Sequence, residues 1–380
     1  MKKSILLSKF QGCLCGVAIG DARGMPYEMM TPNEIFFATG GQGVTDFNDG
    51  IQNRISGTAK LKRGSTTDDW QLCRANSRAI IKCEGLDYLA IAQEHVVEFD
   101  RSTLGWGKST GAACAAIKNH FESTPRLSNQ QLEGEILTRA INQATTETPG
   151  TGNGVGMKIP PVALFHFGLK TSYLLDNVIV LGQMTHRDPR ASYAACAIAL
   201  IIKMVLEDSQ QLVLSRSLSS NYDFINELVK LEIDRSCNRD LKQFPGDSFV
   251  GRLINLLATG SWLQDTDSLG RSMSLIKQTG TSCFALESIP FAIGVFLRNP
   301  VNFVKGITEA VNSGGDTDTN ASMVGAMIGA NVGLDGIPED WIKAVPSCQE
   351  ALELAEKLFE LVWRKTTSPP PLNQTWKVSW

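Results

Sequence analysis

Glycines recur every fourth residue in two stretches near opposite ends of the chain. Gly12, Gly16 and Gly20 lie within Gln11–Asp21, and Gly325, Gly329 and Gly333 follow Ala321 within Ala321–Gly333. In a soluble helix each such glycine costs about 1 kcal/mol relative to alanine, so the pattern needs a compensation, and close approach of a neighbouring backbone supplies one. The spacing predicts two central helices. The first should stop at Asp21-Ala22-Arg23-Gly24 and release the chain into a loop that carries Pro26 and Glu28.

Helical spacing also covers Trp70–Glu84, Leu86–Phe99, Gly111–Phe121, Asn129–Thr145, Ala191–Glu207, Phe224–Leu231, Phe249–Leu257, Ser268–Lys277, Ala285–Phe296 and Cys348–Arg364. Asn177–Leu181 is the best candidate strand, and it reads equally well as buried helix. A 380-residue chain with 43% hydrophobic residues can bury a sizeable core. No linker divides it, and no solenoid repeat is visible. The expectation is one all-α domain over residues 1–365, with the polar stretch 207–247 inserted in it. A tail, 366–380, carries Trp376 and Trp380.

A net charge of -3 and a pI near 5.9 leave no broad basic surface, which argues against nucleic acid and anionic membrane as partners. Lys9 interrupts the apolar run of MKKSILLSKF before a signal-peptide core can form. The longest apolar stretches, Ala194–Ile202 and Ala321–Leu334, are too short or too rich in glycine to span a bilayer. The nine cysteines are scattered and mostly set among apolar residues, and Cys13-x-Cys15 lacks the spacing of a zinc knuckle. They read as reduced core thiols of a cytoplasmic, soluble protein.

Two acidic clusters carry the chemistry: Thr66-Thr67-Asp68-Asp69 and Gly314-Gly315-Asp316-Thr317-Asp318-Thr319. Each could merely cap a helix, since Asp and Thr accept bonds from free N–H groups at a helix start. A second cluster built like the first favours a shared role. Carboxylates flanked by hydroxyls suit hard divalent cations, and Asp68, Asp69, Asp316 and Asp318 could not lie together without cations to offset their repulsion. Asp316-x-Asp318-x-Asn320 imitates the opening of an EF-hand loop, but Ala321 replaces the turn glycine and Met327 the bidentate glutamate.

Gly107-Lys108-Ser109-Thr110 resembles the end of a phosphate-binding P-loop, yet Ser102 stands where its first glycine belongs. Ser109 or Thr110 reads instead as the cap of the next helix. In Thr151-Gly152-Asn153-Gly154-Val155-Gly156-Met157-Lys158, alternating glycines could turn successive N–H groups into one concavity fit for a diphosphate. His186, in Thr185-His186-Arg187-Asp188, is one of four histidines.

Taken in order, GCLCGVAIGDARGMPYE, TTDDW, GNGVGMKIPP, MTHRDPRA, SCFALESIPFAIGVF and SGGDTDTNASMVGAMIGANVG resemble the ADP-ribosylglycohydrolase family over about residues 10–335. The resemblance implies an orthogonal helical bundle around a binuclear Mg2+ or Mn2+ centre. It also implies ADP-ribosylated protein as substrate, arginine conjugates first, with ADP-ribose as product. Thr67, Asp68, Asp69, Asp316, Asp318 and Thr319 would hold the metals. Glu28 matches a mobile acid that closes on them. Asn153, Gly154, Gly156 and Met157 match the loop around the diphosphate and ribose, and His186 a residue beside the ribose. Lys158 stands where the family often has arginine. Asp68 or Asp69, with Glu28 as the alternative, would take a proton from the attacking water. Asp100 is the candidate carboxylate for an arginine acceptor. ADP-ribosyl-serine and O-acetyl-ADP-ribose are the alternative substrates, and a non-catalytic ADP-ribose binder the alternative role.

Overall fold

The structure, a computed structural model, describes residues 2–51, 60–123, 130–148, 150–207, 230 and 248–367. Its helices are α1 (Lys3–Gly24), α2 (Pro32–Ala38), α3 (Asp68–Cys83), α4 (Tyr88–Arg101), α5 (Lys108–Ser123), α6 (Gln130–Ala144), α7 (Pro160–Phe165) and α8 (Thr171–Gln183). They continue with α9 (Pro189–Glu207), α10 (Phe249–Thr259), α11 (Met273–Thr279), α12 (Ala285–Arg298), α13 (Phe303–Asn312), α14 (Thr317–Val332), α15 (Glu339–Ala344) and α16 (Ser347–Thr367). No sheet forms among the described residues, where extended pairing is confined to the isolated bridges Met30–Gly315 and Gly152–Phe284. The fold is all-α, as expected.

The two glycine stripes face each other. A methyl group on Gly12 would lie 2.4 Å from the Gly329 carbonyl oxygen, on Gly16 2.1 Å from that of Gly325, and on Gly20 2.2 Å from that of Ala321. As the number rises along α1 it falls along α14, so the pair is antiparallel, with backbones closer than any side chain allows. This register brings the last turn of α1 to the first turn of α14. There Thr317 Oγ1 donates to the Gly24 carbonyl at 2.8 Å, and a methyl on Gly24 would meet Asp318 Cα at 2.4 Å. The stripe thereby sets Asp21 beside Asp318.

The pair is wrapped by α3, α9, α12, α13 and α16. Arg74 fixes α3 between its neighbours: Nε donates to Glu98 of α4 at 3.0 Å and Nη1 to Glu350 of α16 at 3.1 Å. Two helices, Lys3–Tyr27 with its 3-10 extension and Pro189–Glu207, are long and apolar enough to cross a membrane, but both are largely buried by their neighbours. The stretch Ala194–Ile202 had seemed too short because its flanks extend it to the full helix Pro189–Glu207, and Lys3–Tyr27 had not been singled out.

Three local readings change. Asn177–Leu181 lies inside α8 and is buried helix. Helix α5 begins at Lys108, which puts Ser109 and Thr110 in its first turn rather than at its cap. Ser268–Lys277 narrows to α11, capped by Ser272, whose Oγ accepts from Leu275 N at 3.1 Å. The inserted stretch 207–247, with its helix at Phe224–Leu231, lies almost wholly outside the described residues, as does the tail beyond Thr367. Of the eight described cysteines, none is paired; six are buried, and Cys83 and Cys283 are exposed.

Candidate active site

Six buried carboxylates, Asp21, Glu28, Asp68, Asp69, Asp316 and Asp318, converge where α1 ends and α3 and α14 begin. Asp68 and Asp69 open α3, while Asp316 is the N-cap of α14 and Asp318 lies in its first turn. Neither helix uses its own cluster as a side-chain cap: Thr67 and Asp316 both hold cap positions without making a cap bond. The capping of α3 falls to Asp21, which accepts from Thr67 N at 3.0 and 2.9 Å, Thr67 Oγ1 at 2.8 Å and Trp70 N at 3.0 Å. The sequence clusters thus sit at helix starts with their carboxylates free for other partners.

Two triplets of carboxylate oxygens lie within 4.8 Å of one another, Asp21–Asp69–Asp318 and Glu28–Asp316–Asp318. Asp318 belongs to both. Asp21 was not among the metal ligands expected, and it takes the triplet place expected of Asp68. Glu28 is held in by its neighbours: Met29 N donates to Gly315 O at 2.7 Å and Gly315 N to Met30 O at 2.8 Å. Met29 adopts φ 62, in the left-handed region, which turns the chain at this point. Thr319 Oγ1 donates to Asp69 Oδ2 at 3.3 Å, and Asn153 Nδ2 to Asp316 Oδ2 at 2.8 Å. Arg23 is close in sequence but does not bridge the acids; it stacks 3.9 Å from the centre of the Trp341 ring.

The donor set suits hard cations. It is all oxygen, and two buried carboxylate oxygens, Asp69 Oδ1 and Glu28 Oε2, have no hydrogen-bond partner. Burial first, and then mutual repulsion, push the carboxyls of Asp68, Asp69 and Asp318 well above their usual range and that of Glu28 up to about 9. Burial raises Asp21 to about 7, against the bonds from Thr67 and Trp70 that lower it. An acid with a raised folded-state value favours the fold while protonated, and that contribution is lost as pH climbs through the folded value. Cation-free protein is therefore expected to lose thermal stability between about pH 5 and pH 9, and Mg2+ or Mn2+ should suppress the loss. Melting curves across that window, with and without cation, check this; equal slopes in the two series would contradict it.

The acids form one end of a cleft of about 590 Å³. Its walls include the first turn of α5 with Gly107, Lys108, Ser109 and Thr110, the loop at Gly152, Asn153, Gly154 and Met157, and His186. A size of this order accommodates a nucleotide-like ligand. The loop is moored to the start of α12, with Asn153 N donating to Cys283 O at 3.0 Å and Ala285 N to Thr151 O at 2.9 Å. A cation-ready acidic pole and a glycine loop thus share one cavity.

A family model described as ADP-ribosylglycohydrolase matches residues 2–367. The chain belongs to the ADP-ribosylglycohydrolase family. Membership makes this ADP-ribosylglycohydrolase an enzyme, a hydrolase of ADP-ribosyl bonds, and the resemblance in the sequence motifs is borne out. ADP-ribosylhydrolase ARH3 of Bos taurus is 24% identical over 375 residues, which cover 93% of each chain. ADP-ribosyl-[dinitrogen reductase] glycohydrolase of Rhodospirillum rubrum is 23% identical over 337 residues, 87% of this chain and 88% of its own. A solved ADP-ribosylglycohydrolase-related protein complex has the same fold, with a TM-score of 0.59 and 20% identity over 94% of this chain and 99% of that one.

Within the ADP-ribosylglycohydrolase cleft stand Glu28, Asp68, Asn153, Gly154, Met157, His186, Asp316, Asp318 and Thr319, all expected there. Thr67 and Asp69 are buried just behind it. Gly156 is not brought to the wall. A methyl there would lie 2.8 Å from Met323 Sδ, so this glycine allows core packing, and its N–H is spent on Asn153 O at 2.8 Å. Asp100 is not brought there either: it pairs with Lys118 at 2.6 Å. Besides Asp21, the reading missed Trp106, whose Nε1 donates to Gln71 Oε1 at 2.7 Å while its ring lines the cleft. The available signal for Asp21 was an acid directly after a stripe whose packing demanded burial.

Proposed function

We propose that the protein hydrolyses the bond between ADP-ribose and a protein side chain, with two Mg2+ or Mn2+ ions as cofactors, in the cytoplasm. The observation that carries this reading is the pair of carboxylate triplets at one end of a cleft whose other wall is the Gly152–Met157 loop and His186. When bound by Asp21, Asp69 and Asp318 and by Glu28, Asp316 and Asp318, with the hydroxyls of Thr67 and Thr319 beside them, the ions would orient the ribose diol and activate water. Asp68 belongs to neither triplet and lines the cleft, which makes it the group to take a proton from the attacking water. Its carboxyl also accepts a bond from the Gly107 N–H, which holds it toward the α5 side. Cleavage passes through an oxocarbenium-like state at the anomeric carbon: the bond to the acceptor breaks as the water oxygen bonds to that carbon, Asp68 takes the water proton, and the departing acceptor gains one from solvent. Asn153 keeps Asp316 in place.

For the acceptor, arginine conjugates are the first reading, and ADP-ribosyl-serine or O-acetyl-ADP-ribose the alternatives. Asp100, the carboxylate expected to pair with an arginine acceptor, pairs with Lys118 instead, which keeps the alternatives in play. ADP-ribose release from serine- and arginine-modified peptides and from O-acetyl-ADP-ribose, each with Mg2+, Mn2+ or chelator, ranks the three. Binding of ADP-ribose with no release from any conjugate would overturn the catalytic reading, and undiminished release with chelator the metal dependence.

A further inference from the structure

The acids occupy one end of the cleft; at the other, His186 is backed by two buried groups that the chemistry above does not use. Lys158 is fully buried and its Nζ lies 2.6 Å from Thr185 Oγ1. The same Oγ1 lies 2.9 Å from His186 Nδ1, and Thr185 and His186 are buried too. The three polar atoms form one line from the core to the cleft wall.

Satisfaction of every polar group sets the direction of this line. An ammonium has three donors and no lone pair, so Lys158 can only donate, and Thr185 Oγ1 must accept. The hydroxyl has a second lone pair and could also take a bond from an Nδ1–H, but its own proton would then have no acceptor among the described residues; donating that proton to Nδ1 satisfies all three groups. An imidazole that accepts at Nδ1 and is neutral carries its hydrogen on Nε2. Neutrality is favoured by the surroundings, because burial and then the Lys158 charge push His186 down to about 3. Nε2 faces the glycine loop: a methyl built on Gly152 or on Gly154 would come within 3.3 Å of it. Glycine at both places leaves this nitrogen open to a ligand.

We propose that Lys158 and Thr185 are positioning residues that hold His186 as the Nε2–H tautomer, so that it offers a hydrogen-bond donor to an oxygen of the bound ligand. The proposal rests on the reading of this cleft as the ADP-ribose site, where every candidate partner for Nε2 is a ribose hydroxyl or phosphate oxygen. While Lys158 is charged Thr185 cannot donate to it, and the hydroxyl proton is left for His186. Burial lowers its ammonium to about 8, with Cys114 of α5 and Asp68 of α3 opposing that shift; His95 of α4 and His186 are the other titratable groups in its field. A neutral Lys158 could accept from Thr185, so above about pH 8 the tautomer is released from this constraint.

The test is nitrogen-15 NMR of the full chain with labelled histidine and no ligand, His186 being assigned by the signals that vanish in His186→Gln. At pH 7 the wild type should show an Nε2-protonated, Nδ1-accepting ring that does not titrate between pH 5 and pH 7. Thr185→Val and Lys158→Met should mix the tautomers, and Thr185→Ser should restore the wild-type pattern. ADP-ribose should bind Thr185→Val about three- to tenfold more weakly than Thr185→Ser, the worth of one hydrogen bond. An Nδ1-protonated ring in the wild type, or an unchanged Nε2–H pattern in a folded Thr185→Val, overturns the proposal. If Lys158→Met fails to fold, the valine and serine variants at 185 carry the test alone. Because the tautomer is read without ligand, it is separable from the cleft assignment, which fails if wild-type protein does not bind ADP-ribose.

Discussion

Replacing Asp318 with asparagine is expected to lower ADP-ribose release at least about a thousandfold while raising the melting temperature of cation-free protein. Asp318 is the acid shared by both triplets, so the change weakens two cation positions at once. Loss of one preorganised charged group at a reacting centre commonly costs a factor of about 10² to 10³, and in the proposed site two ions would depend on it. Asparagine keeps the volume, so the contact of the Asp318 backbone with Gly24 survives. Without cations the same carboxylate is a burden, since burial and the charges of Glu28, Asp316 and Asp69 all oppose its ionisation. Activity and stability should therefore move in opposite directions. Turnover within tenfold of wild type would falsify the assignment of Asp318, and a lowered melting temperature would show that it is structural.

The second large effect concerns the helix pair. Alanine at Gly16 would place a methyl 2.1 Å from the Gly325 carbonyl oxygen and 2.5 Å from its carbon. Both are backbone atoms, so no rotamer can relieve the clash. Alanine gains about 1 kcal/mol of helix propensity, and overpacking against two backbones should cost about 3 kcal/mol or more, so the clash wins. Gly111 is the control: it lies in α5 with nothing within 4 Å of an added methyl, and Gly111→Ala should stabilise by up to about 1 kcal/mol. Denaturation of both variants measures the contrast. Because the stripe sets Asp21 beside Asp318, Gly16→Ala should also weaken cation binding in whatever protein remains folded.

Much of this could be read from the residues, for identifiable reasons. A glycine every fourth residue is costly unless a backbone lies against it, so centrality was legible; that α1 and α14 are each other's partner was not, because the pattern names no neighbour. The aspartates at 68, 69, 316 and 318 were legible as a group through their repeated setting of hydroxyls. Asp21 was missed because an acid in the last turn of a helix usually faces water, whereas here the α14 contact and the docking of α3 both cover it. Gly156 was placed by the family resemblance of its loop and Asp100 by its nearness in sequence to the 105–110 loop. The first proves to pack against Met323 and the second to face Lys118. Helix α13 escaped notice as well, for its ten residues would be marginal alone and depend on packing against α14.

The bridge between Met30 and Gly315 has a kinetic meaning. Two backbone hydrogen bonds, from Met29 to Gly315 and from Gly315 to Met30, tether the backbone beside Glu28 to the start of α14, so moving that backbone away from Asp316 and Asp318 breaks both. At about 0.5 to 1.5 kcal/mol net for each bond, an open latch would be populated at roughly one to fifteen per cent. Ligand exchange would then be gated by a rare state of the protein, and glycines 314 and 315, with φ of 72 and 79, would set how rare it is. The chain segment that completes the cation site would thus also time the turnover.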